Sequence, residues 1–218
     1  DSSVQDLITI IGNTVQGGGR IQIGGGTGSV QQVIISGNVI DNSESQGIRC
    51  DSGTDYLTIS NNHIKNTDQT GIYLSTVDYV SVTGNTVIDA NQDAEGAGSL
   101  EHNSCLRMNS CTNTQTTGNR FMNIAANGAH YGISVNSNAQ RHVYDRTNHF
   151  VNMRTANILY PFTAAPTAGT WEIGDFVPRM STLTKDGNNM VHTGWICVAQ
   201  GAPGTWEDQY VSDISPAT

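Results

Sequence analysis

Four side chains able to carry charge or move protons fall within one short polar stretch: Asp93, Glu95, Glu101 and His102. Arg107 follows a few residues later. Two carboxylates held about 5–10 Å apart can cleave a glycosidic bond, one as acid and the other as base or nucleophile. Glu101 with Asp93 or Glu95 has the residue types for this, and Asp51 is a further carboxylate. Elimination needs a different set, namely a base, a proton donor and a cation that neutralises the developing charge. His102, Tyr73 and Arg107 supply those types. The residues alone do not choose between hydrolysis and elimination, and a solvated acidic loop with no catalysis has the same composition.

The side chains suited to holding a sugar chain are Arg49, Tyr73, Arg107, His130 and Tyr131. Arginine binds a uronate carboxylate in bidentate fashion. No metal-ligand set stands out and no cofactor is called for, although an elimination reaction would admit a divalent cation. The cysteines Cys50, Cys105, Cys111 and Cys197 lack the paired spacing of a zinc site. Cys50 reads as a small buried hydrophobe. A Cys105–Cys111 disulfide stays open at this level.

These residues are positioned by an internal repeat: an apolar residue, any residue, Gly, Asn, any residue, an apolar residue. It reads Ile10-Ile11-Gly12-Asn13-Thr14-Val15, then returns at Ile35–Ile40, Ile59–Ile64, Val82–Val87 and Thr116–Phe121. A weaker copy ends Thr147-Asn148-His149-Phe150. The aligned asparagines 13, 38, 62, 85, 119 and 148 are spaced by 25, 24, 23, 34 and 29 residues. A period in the low twenties, stretched by insertions, fits the coil of a solenoid.

Between these motifs lies a second strand with period-two alternation: Ile21-Gln22-Ile23, Ile48-Arg49-Cys50, Ile72-Tyr73-Leu74, Leu106-Arg107-Met108 and Ile133-Ser134-Val135. Each coil therefore supplies at least two strands, which pair in parallel with those of the next coil. The outward residues form a column of Gln22, Arg49, Tyr73, Arg107, Ser134 and Asn157. Two positions on is a second column of Gly24, Asp51, Ser75, Asn109 and Asn136. Neighbours in a column lie about 4.8 Å apart. Ladder-forming Asn and left-handed Gly at the corners account for the Gly-Asn pairs. The insertion Ala90 to Ser104 carries the acidic stretch, and a shorter one, Ala125 to His130, follows one coil later. Loops on a rigid scaffold often hold function.

Charged residues make up 13% of the chain and the formal net charge is −9. No basic stripe exists for nucleic acid. No run of 18 apolar residues exists to insert in a membrane. The acidity suits an extracellular protein.

The aligned repeats resemble the right-handed, single-stranded parallel β-helix of pectate-lyase-like proteins, over roughly residues 5–160. All three tryptophans come later, in a separate set of signals: Gly169-Thr170-Trp171, Gly174-Asp175, Gly194-Trp195-Ile196-Cys197 and Pro203-Gly204-Thr205-Trp206. In this order they are similar to the small C-terminal module of bacteriophage tailspike and preneck-appendage proteins. One departure is Val177-Pro178-Arg179, where that family usually has an Asn. The expected architecture is thus all-β: a β-helix over 1–160 and a small β module over 161–218, for assembly or carbohydrate contact. The tryptophans would form a tiny core, or one ring would stack on sugar.

The resemblance implies a homotrimer on the virion, a tail appendage that binds and depolymerises bacterial surface polysaccharide as a hydrolase or lyase. A non-catalytic receptor-binding or assembly segment is the alternative, and a polysaccharide epimerase a weaker one. Asp6–Ile10 already begins inside a repeat, so the chain is expected to be the C-terminal part of a longer solenoid.

Overall fold

The computed structural model describes residues 7–24, 30–92, 104–124, 131–135, 140–144, 147–153, 158–159, 165, 167, 176–178, 190–201 and 204–212. The chain divides into two compact units, Asp1–Leu159 and Tyr160–Thr218.

The first unit is a parallel β-helix. Its coils carry β1 (Ile8–Ile11), β2 (Thr14–Gln16) and β3 (Ile21–Ile23), then β4 (Val33–Ser36), β5 (Val39–Ser43) and β6 (Ile48–Cys50). Next come β7 (Asp55–Ser60), β8 (His63–Thr67) and β9 (Ile72–Ser75), then β10 (Asp78–Thr83), β11 (Thr86–Ala90) and β12 (Ser104–Asn109). The last two coils carry β13 (Thr112–Thr117), β14 (Arg120–Met122) and β15 (Tyr131–Val135), and β16 (Gln140–Tyr144), β17 (His149–Val151) and β18 (Ile158–Leu159). Each coil gives one strand to each of three six-stranded sheets. The sequence reading of at least two strands per coil missed the third. The Gly-Asn motif interrupts what reads as one apolar segment and divides it between two sheets.

The core is built from columns. Ile35 pairs with Ile59 and Ile59 with Val82, and all three are fully buried. Fully burying such a side chain stabilises by roughly 1.5–3 kcal/mol. In the fifth coil the column continues with Thr116, also fully buried.

The asparagine ladder runs through all six predicted positions. Asn38 Oδ1 accepts from the backbone N and Nδ2 of Asn13, at 2.9 and 3.0 Å. The same double bond joins Asn38 to Asn62, Asn62 to Asn85, Asn85 to Asn119 and Asn119 to Asn148. From Asn38 on, each Nδ2 also donates to a core-strand carbonyl, such as Ile35 O for Asn62 at 2.9 Å. The left-handed backbone falls one residue earlier than the ladder itself: Gly12, Gly37, Asn61, Gly84 and Gly118 have φ between 54° and 68°. The corner residue and the ladder residue are thus separate devices.

The second unit contains a three-stranded antiparallel sheet of β19 (Phe176–Pro178), β20 (Met190–Ala199) and β21 (Thr205–Ser212). Trp195 and Cys197 are buried there, with Trp206 packed against them opposite Cys197. Two of the three tryptophans therefore build the small core, and Trp171 lies outside the described residues. No helix among the described residues is long and apolar enough to cross a membrane.

Candidate functional site

The sheet β3-β6-β9-β12-β15-β18 carries the predicted outward column. Register pairs Gln22 with Arg49, Arg49 with Tyr73, Tyr73 with Arg107, and Arg107 with Ser134. The last member is Leu159, which pairs with Ser134, and not Asn157. Leu159 follows the ladder residue Asn148 at the same distance as Arg49 follows Asn38 and Tyr73 follows Asn62, so counting from the ladder gives Leu159. In the second column Ser75 pairs with Asn109, and Asp51 N donates to Ile23 O at 2.9 Å.

Side chains along this strip interlock. Arg49 Nε donates to Asp51 Oδ1 and Oδ2 at 3.0 and 2.8 Å. Asp51 follows directly on β6 and its N–H still donates to Ile23 O of the previous coil, so the pairing that continues past the strand end sets it on the same side as Arg49. The Arg49 guanidinium lies 5.3 Å from the centroid of the Tyr73 ring, within cation–π range. One coil on, Arg107 Nη1 donates to Ser134 Oγ at 2.5 Å. Although they alternate outward, Tyr73 is only 9% exposed and Arg107 only 5%. An ordinary solvated sheet face would leave both in water. Withdrawing a guanidinium from water is costly unless partners hold it, so Tyr73, Arg107 and Ser134 form a buried polar layer, of which Arg49 is the part open to solvent.

Of the other predicted residues, Tyr131 opens β15, opposite Ser104 and half-buried. Asp93, Glu95, Glu101, His102 and His130 lie outside the described residues. The base of the larger insertion is fixed. Asn91 N and Gln92 N donate to Gln69 O and Thr67 O, each at 2.9 Å. Buried Asp89, in left-handed backbone at φ 53°, accepts Ile124 N at 2.5 Å. The chain re-enters at β12, which carries Arg107 three residues after its start.

All four cysteines are free and buried. Cys50 is the expected small core residue. Burial pushes the thiols of Cys50 and Cys105 far up, and that of Cys111 up to about 11. Among the described residues no group of three or more His, Cys, Asp or Glu could hold a metal ion.

Sequence reasoning missed Tyr56 and Tyr79. Their rings stack at 4.9 Å between centroids with planes 10° apart, and both are more than half exposed. The signal was present: Asp55-Tyr56-Leu57 returns one coil later as Asp78-Tyr79-Val80.

The crystal structure of Dettilon tailspike protein (gp208) is similar to this fold, with a TM-score of 0.59 and 20% identity. The match covers 89% of this chain and 41% of that one, so the chain corresponds to less than half of that protein. The expected tailspike-like β-helix is therefore the fold observed. No curated protein matches the chain. The family model described as periplasmic copper-binding protein (NosD) matches residues 3–160, the whole of the repeat region described above, and the chain belongs to that NosD family of parallel β-helices.

Proposed function

We propose that the chain is part of a tailspike-type protein that binds bacterial surface polysaccharide along the Arg49–Tyr73–Arg107–Ser134 strip and depolymerises it. The observation that carries this is a row of outward positions in which Arg49 is paired with Asp51 and lies over Tyr73, and buried Arg107 donates to Ser134. Arginines beside a tyrosine and hydroxyls suit a polyhydroxylated, anionic chain. Arg49 is the accessible member, with about a third of its side chain exposed (34%). Glu101 and His102 immediately precede β12, so chain connectivity keeps them within a few residues of Arg107. Glu101 with Asp93 or Glu95 would serve hydrolysis. His102 with Arg107 and Tyr73 would serve elimination. His130 and Tyr131 would extend the sugar contacts. A homotrimer displayed on the virion, outside the cell, goes with this reading.

A second reading, binding without cleavage, is favoured by Asp51. It is the one candidate acid among the described residues, and Arg49 already holds its carboxylate.

The family's description names copper. The described residues do not fit it: soft copper sites use thiolate, thioether or imidazole ligands. Here the cysteines are buried as thiols, and no ligand group converges among the described residues.

The test is incubation with a panel of acidic capsular polysaccharides. New reducing ends report hydrolysis, and ultraviolet absorbance from an unsaturated sugar reports elimination. Glu101→Gln should lower either rate about 100-fold or more with binding retained. Unchanged activity removes Glu101 from the mechanism. Binding with neither product leaves the second reading, and absence of binding overturns both.

A further inference from the structure

We propose that Tyr56 and Tyr79 form a second glycan contact, a stacking platform for a neutral pyranose, separate from the arginine-bearing strip. It rests on the reading that the chain binds glycans.

Three observations carry it. First, the two residues are exposed at 58% and 51%, while the residues that follow them, Leu57 and Val80, are buried in the core. The tyrosines do not build the interior. Second, both occupy left-handed backbone, with φ of 50° and 51°. Bulky residues avoid this region, whereas Asn tolerates it. The same position one coil on is Asn113, with φ 50°. The backbone corner therefore needs no tyrosine, and two strained aromatic residues side by side point to use of the rings themselves. Third, the pair is pre-organised. Register stacks Asp55 against Asp78 beside the rings, and the rings lie nearly parallel. Asp78 Oδ1 is fixed by Tyr79 N at 2.9 Å, Asn113 Nδ2 at 2.8 Å and the Thr112 hydroxyl.

The charge selects the ligand. Asp55 is exposed and Asp78 partly so. Two adjacent carboxylates repel a uronate, while the exposed Asp55 can accept hydrogen bonds from the hydroxyls of a neutral sugar, whose C–H face can lie on a ring. The cores of protein–protein interfaces are depleted of Asp, which argues against a second copy of the chain as occupant. The platform would then read neutral units and the arginine strip anionic ones.

The test uses the full chain with labelled tyrosines and two probes, polygalacturonate and methyl β-D-glucopyranoside or its galactoside at up to about 0.1 M. The neutral sugar should shift the ring resonances that Tyr56→Asn and Tyr79→Asn remove. Those variants should bind it at least about tenfold more weakly. Asn suits the backbone here, so they should melt no lower than wild type. No ring response in wild type overturns the platform, as does a loss of oligomer mass in the double variant, which would make the pair a chain–chain contact. Failure of polygalacturonate to bind, with the ring response intact, overturns the arginine strip and leaves the platform standing.

Discussion

Arg49 Nε lies 2.8 Å from Asp51 Oδ2, two residues on and just past the end of β6. The arginine side chain is a third exposed, so water screens the pair, and its net worth should stay below about 1 kcal/mol. A double-mutant cycle of Arg49→Ala and Asp51→Asn, read from urea midpoints, checks this. A coupling of several kcal/mol would make the pair a structural clamp and weaken its role as a sugar contact.

Asn62 sits in the middle of the ladder. It accepts two hydrogen bonds from Asn38 and donates to Ile35 O and Asn85 Oδ1. Asn62→Ala leaves several buried groups short of a partner and should cost about 3 kcal/mol or more. Thermal melting should show the loss, whereas Asn61→Gly, at φ 54°, should be neutral or mildly stabilising.

Much of the solenoid was legible because a stack repeats its constraints. The ladder asparagines must recur at one position per coil, and the β6–β9–β12 alternation must match to pair. The third strand was hidden because the corner at Gly37-Asn38 lies inside an apolar run, with Ile35 and Ile40 both buried. Leu159, not Asn157, belongs to the outward column, and it follows Asn148 at the spacing that separates Arg49 from Asn38 and Tyr73 from Asn62, so the position was legible by counting from the ladder. Of the site, Arg49, Tyr73 and Arg107 were legible as a column, but their burial was not, since alternation says only which way a side chain leaves the strand. Tyr56 and Tyr79 were overlooked because they precede the apolar positions that define the repeat.

Thr116 continues a column of Ile35, Ile59 and Val82, and its Oγ1 is buried with no hydrogen-bond partner among the described residues. Valine has nearly the same shape and no hydroxyl to desolvate. Thr116→Val should stabilise by about 1 kcal/mol in urea unfolding. Destabilisation would mean that the hydroxyl has a partner in solution.

Burial raises Cys111 from the ordinary 9.0 of a free thiol to about 11. The folded state therefore holds a proton that the unfolded chain releases. This contribution is full below pH 9 and is lost as pH rises toward 11. Unfolding midpoints measured from pH 8 to 11 should fall, and fall less steeply in Cys111→Ala. Equal slopes would show that other groups control the alkaline limit. Thiol reagents at pH 8 should label Cys50, Cys105 and Cys111 only after unfolding.

Affinity electrophoresis in gels cast with acidic capsular polysaccharide probes the arginine strip most directly. Wild-type protein should be retarded by at least one polymer of the panel, and added salt should relieve the retardation. The double variant Arg49→Ala/Arg107→Met should run freely while keeping a cooperative melt, because methionine fills a buried arginine site at little cost in stability. Equal retardation of the folded double variant and wild type would contradict a glycan site on this strip.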